Sequence, residues 1–143
     1  CLAFKLCWPF RDDNFRRSLL ARDEALEEAS HSNVVAKQIS AELEFHSIAF
    51  DFCNNDLLQD NWKQLAQKIQ LGFCIYRSMP IKTVKKEWHK NYFELAQGDD
   101  LAAMIKEVED HIRAGIASIR KYSIERNKEP RPPAGAEAEA GAS

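Results

Sequence analysis

No stretch of the 143 residues offers the run of about 20 apolar residues that a membrane-spanning helix requires. The first ten, with Lys5 and Pro9 among them, lack the layout of a signal peptide. A cytoplasmic protein with no membrane partner is therefore expected. A surplus of either charge is missing as well: 20 basic residues stand against 22 acidic ones, which leaves no strong field to draw nucleic acid or an anionic surface to the chain. Contact with DNA through this polypeptide alone is not expected. The cysteines, at positions 1, 7, 53 and 74, form no CxxC pair, and Cys53 and Cys74 fall in apolar helical stretches, which predicts reduced and buried thiols. No Gly-rich phosphate loop, Ser-His-Asp elbow, basic-aromatic cluster or internal repeat is present. The paired Glu-x-x-His motifs of a di-iron bundle are missing too, which weighs against a helical metalloenzyme.

What the sequence does hold is helical periodicity. The length suits one domain, large enough to bury a core without a metal or a disulfide merely to fold. Cys1 opens inside an apolar run, Leu2, Phe4, Leu6 and Trp8, with no capping residue, and reads as the tail of a truncated first helix. Pro9 and Arg11-Asp-Asp-Asn14 interrupt it. A helix over about 14–29 follows, with Phe15, Leu19, the stem of Arg22, Leu26 and Ala29 along one stripe. His31 lies in the polar connector after it and is expected in an exposed loop. The next helix, about 34–53, carries Val35, Ile39, Glu42, Leu43, His46 and Phe50 on one face, leaving Ser40, Glu44, Ser47 and Asp51 to water. Asn54-Asn-Asp56 stops it and caps a helix over about 56–78, which Ser78-Met-Pro80 ends. Gly72 in that helix marks either a close crossing or room for a ligand, and Trp62, Tyr76 and Arg77 serve packing, the surface or a ligand. A fifth helix spans about 82–97. Asp99 or Asp100 opens the last, whose stripe includes Met104, Val108, His111, Ile112, Gly115 and Ile116. The result is an all-α fold of about six helices over 1–126. The remainder, 127–143, is a Pro-, Ala-, Gly- and Glu-rich tail too poor in apolar residues to offset the entropy of ordering, and is expected to be disordered.

Three histidines sit awkwardly in this pattern. His46 shares an apolar face with Glu42 at i−4, His89 lies inward or at the border of its helix, and His111 is the only polar member of its stripe. A buried imidazole costs free energy unless something satisfies it. Glu42 could hydrogen-bond or neutralise His46, and each of the others could find its own partner. A shared ion is the alternative, because neutral imidazoles and a carboxylate suit a first-row divalent metal, and three or four protein ligands leave a position open for a small acid or a water.

The same residues carry a resemblance. Glu42-Leu-Glu-Phe-His46, then Asn54-Asn-Asp-Leu-Leu58, then His89, Gly98-Asp-Asp100 and His111 resemble the FCD effector-binding domain of GntR-family bacterial transcription regulators, over roughly residues 1–126. The resemblance implies an antiparallel helical bundle holding a divalent transition metal (zinc, nickel, manganese or iron), with His46, His89 and His111 as ligands and Glu42 in the place of the family's aspartate. It implies a small organic acid completing the coordination, a homodimer, and DNA bound only through an N-terminal winged helix-turn-helix that lies outside this chain. Two departures stand out: Glu42 is one methylene longer than aspartate, and Trp88 precedes His89 where the family often has glutamate. The competing expectations are a metal-free helical interaction domain and a helical enzyme in which Glu42 serves as a base beside metal-bound water.

Overall fold

Short polar side chains set where the helices start. In the computed structural model, which describes residues 1–75 and 86–126, Asp12 Oδ1 accepts from the Phe15 amide at 2.9 Å, Asn55 Oδ1 from the Leu58 amide at 2.9 Å and Asp100 Oδ1 from the Ala103 amide at 2.9 Å. Each satisfies an amide that the first turn leaves free. The elements are α1 (Leu2–Cys7), a 3₁₀ turn (Trp8–Phe10), α2 (Asp13–Ser30), α3 (Val35–Asp51), α4 (Asp56–Ile75), α5 (Lys86–Gln97) and α6 (Leu101–Arg126), with no strand among the described residues. The described residues are all-α with six α-helices, as the periodicity anticipates. Asn54 turns the chain out of α3 with a φ of 54°, a left-handed conformation that asparagine tolerates better than most residues. The expected stop at Ser78–Pro80, Tyr76 and Arg77, the start of the fifth helix at 82–85, the side chains of Cys74 and Trp88, and the tail 127–143 all lie outside the described residues.

Residues 1–111 form one compact unit. Its centre is α3, against which α1, α2 and α4 each pack, while α2 also meets α5. Phe15, Leu19, Phe45, Ile48 and Met104 are fully buried, each contributing on the order of 1.5–3 kcal/mol by leaving water. The stripe on α2 is as expected, with Phe15, Leu19, Leu26 and Ala29 buried. That on α3 is not a single stripe: Phe45, Ser47, Ile48 and Ala49 are buried together with Ile39, because a helix with neighbours on three sides has little free face. Ser47, expected in water, instead accepts from the Arg22 guanidinium at 2.7 Å, and its hydroxyl lies 2.9 Å from both Glu44 O and Asp51 Oδ2. Arg22 also reaches Asp51 Oδ2 at 2.7 Å and Glu44 O at 3.2 Å, joining α2 to α3 by its charged head as well as its stem.

A second arginine ties the C-terminal end of α5 to the 3₁₀ turn. Arg11 donates to Ala96 O and Gly98 O, both at 2.7 Å, and to Trp8 O at 3.3 Å, while its guanidinium carbon lies 3.2 Å from the Trp8 ring centroid. Gly72 marks no close crossing, since a Cβ there would meet nothing within 4 Å. Cys7 and Cys53 are buried free thiols; burial, with some opposition from Arg11, pushes Cys7 up to about 11, so it stays protonated and unreactive at neutral pH. His31 is exposed, as expected of a connector.

The second unit begins at Ile112 and is described as helix through Arg126. Ile112 and Ile116, expected on a buried stripe, are exposed there at 53% and 46%. No helix among the described residues is long and apolar enough to cross a membrane.

Candidate metal centre

Glu42 and His46 stand one turn apart on α3, so their side chains leave the helix on the same side. The His46 Nε2–H donates to Glu42 Oε1 at 3.2 Å. From α5, His89 Nε2–H donates to that same oxygen at 2.9 Å. His111, from α6, completes the group, its ring centroid 4.8 Å from that of His46 and 5.0 Å from that of His89. Four residues from three helices thus converge, and one ligand atom from each lies within 4.8 Å of all the others. The expected set, Glu42, His46, His89 and His111, is brought together without omission. Three histidines each satisfied by a separate partner is not the arrangement seen.

The walls are aromatic. Phe45, wholly buried, stands edge-on to His46 and His89 at 5.3 and 5.1 Å between centroids. Tyr92 meets the His46 ring at 5.1 Å and lies 5.9 Å from that of His111. Tyr92 follows His89 by three residues, a spacing that puts both on one face of α5 and that is present in the sequence.

Burial and charge act against each other here. Burial alone would raise the Glu42 carboxyl, but the hydrogen bonds and charges of His46 and His89 outweigh it and hold the group well below the usual carboxylate range. His111 is pushed down to about 4, first by burial and then by His46 and His89, with Glu42 opposing. It is therefore neutral at pH 7, the form that coordinates. Tyr92 is raised by burial and further by Cys7, Glu42 and Glu107, so its phenol keeps its proton.

Among the described residues, Glu42 Oε2 and His89 Nδ1 are buried with no hydrogen-bond partner. Such orphans are costly, and an acceptor-only carboxylate oxygen beside three imidazoles suits a cation. Ligands bonded to one ion at about 2.0–2.2 Å stand about 3–4.4 Å apart, so the group must contract by a few tenths of an ångström or more to share one. The cluster could hold a metal ion. Glu42, despite its extra methylene, reaches the centre, and its Oε1 is the atom on which two imidazoles converge.

Comparison with protein-family models, with curated proteins and with solved structures finds no match to this chain.

Proposed function

We propose that this chain is a metal-dependent effector-sensing domain of a GntR-like transcription regulator, in which a divalent transition metal held by Glu42, His46, His89 and His111 binds a small organic acid. The observation that carries the reading is the convergence of those four residues from α3, α5 and α6 within 4.8 Å, next to a buried carboxylate oxygen with no partner. A four-ligand set leaves a coordination position open in a five- or six-coordinate ion, and a carboxylate is a fitting occupant of a cationic centre walled by Phe45 and Tyr92. The near balance of charge agrees with a sensor that leaves DNA contact to a separate winged helix-turn-helix and passes its signal through a homodimer. Catalysis forms no part of the proposal.

A second reading has one observation in its favour. Glu42 Oε1 already accepts from both His46 and His89, so much of the polar cluster is satisfied without an ion, as a metal-free interaction domain would need. The orphaned Glu42 Oε2, an acceptor with no donor, favours the metal.

Elemental analysis of protein purified without chelator tests the choice. Stoichiometric divalent metal is expected, with loss of about 10-fold or more in affinity for each of His46→Ala, His89→Ala and His111→Ala. Metal-loaded protein is expected to gain thermal stability from one or more members of an organic-acid panel, and the metal-free form to gain none. Protein without metal, or alanine variants that retain it, would overturn the metal; a loaded protein indifferent to every acid would overturn the sensor.

A further inference from the structure

His89 and His111 reach the cluster from points well along α5 and α6, away from the corner between the two helices. His89 lies nine residues before Gly98, and His111 eleven residues after Asp100. At about 1.5 Å of rise per residue, these place the imidazoles roughly 13 and 16 Å along α5 and α6 from the corner that joins them. A tilt of about 5° at that corner moves an atom on either helix by about 1 Å, while ligand bonds tolerate only about 0.2 Å. Whatever fixes the corner therefore governs whether His89 and His111 meet.

Arg11 holds the α5 side of that corner. Its guanidinium donates 2.7 Å bonds to Ala96 O and Gly98 O, two carbonyls at the C-terminal end of α5, where a helix leaves its acceptors free and favours a cation. The other side of the clamp is anchored by a 3.3 Å bond to Trp8 O and by the Trp8 ring, 3.2 Å from the guanidinium carbon. Arg11 touches none of the four candidate ligands. Nη1 bonds both Ala96 O and Gly98 O while Nε bonds Trp8 O and the guanidinium plane lies over the indole, a combination that lysine, with one nitrogen and no planar face, does not reproduce.

We propose that Arg11 is a positioning residue of the metal centre, clamping the α5–α6 corner to the 3₁₀ turn so that His89 and His111 stay within reach of one ion. The proposal rests on the metal reading above. It also makes the link reciprocal: an ion that draws His89 and His111 together steadies the corner, and through Arg11 the Trp8–Phe10 turn.

Cobalt(II) provides the test, since its visible bands report coordination geometry and its affinity is measured by titration. Wild type, Arg11→Gln, Arg11→Lys and Leu26→Ala are compared, the last a buried α2 position whose truncation weakens the fold away from the corner. Arg11→Gln is expected to stay helical, to lose about 10- to 100-fold in cobalt affinity and to shift the bands; Arg11→Lys should fall between it and wild type, and Leu26→Ala should melt earlier with affinity and spectrum unchanged. If Arg11→Gln does not fold, Arg11→Lys alone carries the comparison. A folded Arg11 variant within twofold of wild type with the same spectrum overturns the positioning role while leaving the metal reading intact, as does an equal loss in Leu26→Ala. Wild type that binds no cobalt overturns both.

Discussion

Two side chains of the candidate centre make the protein sensitive to acid. His111 takes its proton at about 4 in the fold, against about 6.5 for a histidine in an unfolded chain. Between those values the unfolded chain binds more protons, so stability falls as pH drops from about 6.5 to about 4. Glu42 works in the same direction at lower pH. Its folded value lies below the ordinary 4.5, so the stability its carboxylate contributes is complete above that pH and is lost as pH falls through the depressed value. In metal-free protein the midpoint of urea unfolding is therefore expected to decline steadily from pH 6.5 to 4, and His111→Leu to flatten that decline. A variant as acid-sensitive as wild type would show that the histidine's burial does not matter.

Among the elements, the two helices opened by aspartates offer a matched pair of experiments. Asp12 caps α2, which carries no candidate ligand, and Asp100 caps α6, which carries His111. Each change to alanine is expected to cost about 1 kcal/mol in urea unfolding. The metal should separate them: Asp100→Ala frays the turn beside the Arg11 corner and weakens metal binding, whereas Asp12→Ala leaves it unchanged. Equal metal affinities would mean that α6 is held in register by its packing alone. Helices and caps were legible in the sequence because both are local; apolar spacing of 3.6 residues and short polar side chains at the breaks require no knowledge of the rest of the chain. The Glu42–His46 pair was legible for the same reason. The orientation of α3 was not, since how many neighbours surround a helix depends on contacts far apart in sequence, and Ser47 was placed on the wrong side accordingly. Nor was Arg11, which appeared only as part of a polar interruption: its partners Ala96 and Gly98 lie 85 and 87 residues away, and both offer backbone oxygen, which every residue type carries.

At the scale of the whole molecule, a metal binding only the folded chain must raise its stability. At an ion concentration 100 times the dissociation constant the gain is about 2.7 kcal/mol, which for a chain of this size corresponds to a rise of roughly 5–10 °C in melting temperature. Zinc added to chelator-treated protein is expected to produce that rise and EDTA to reverse it; no change with zinc in excess would leave the polar cluster as a hydrogen-bonded core feature. The magnitude matters because the fold does not depend on the ion: α3 already sits within a core containing Phe15, Leu19, Phe45, Ile48 and Met104. The protein is therefore expected to remain helical on both sides of the transition, in contrast to small zinc domains that unfold without metal.

The orphaned nitrogen of His89 bears on how such an ion would arrive. An ionised Glu42 oxygen can only accept, so His46 and His89 must both present Nε2–H to it. An ion bound at those nitrogens requires both protons to leave, and a neutral ring must then carry its proton on the opposite nitrogen. For His89 that nitrogen is buried and has no acceptor. Loading the site at those nitrogens is thus a tautomer exchange as well as a coordination step, and metal binding would release protons and weaken as the pH falls.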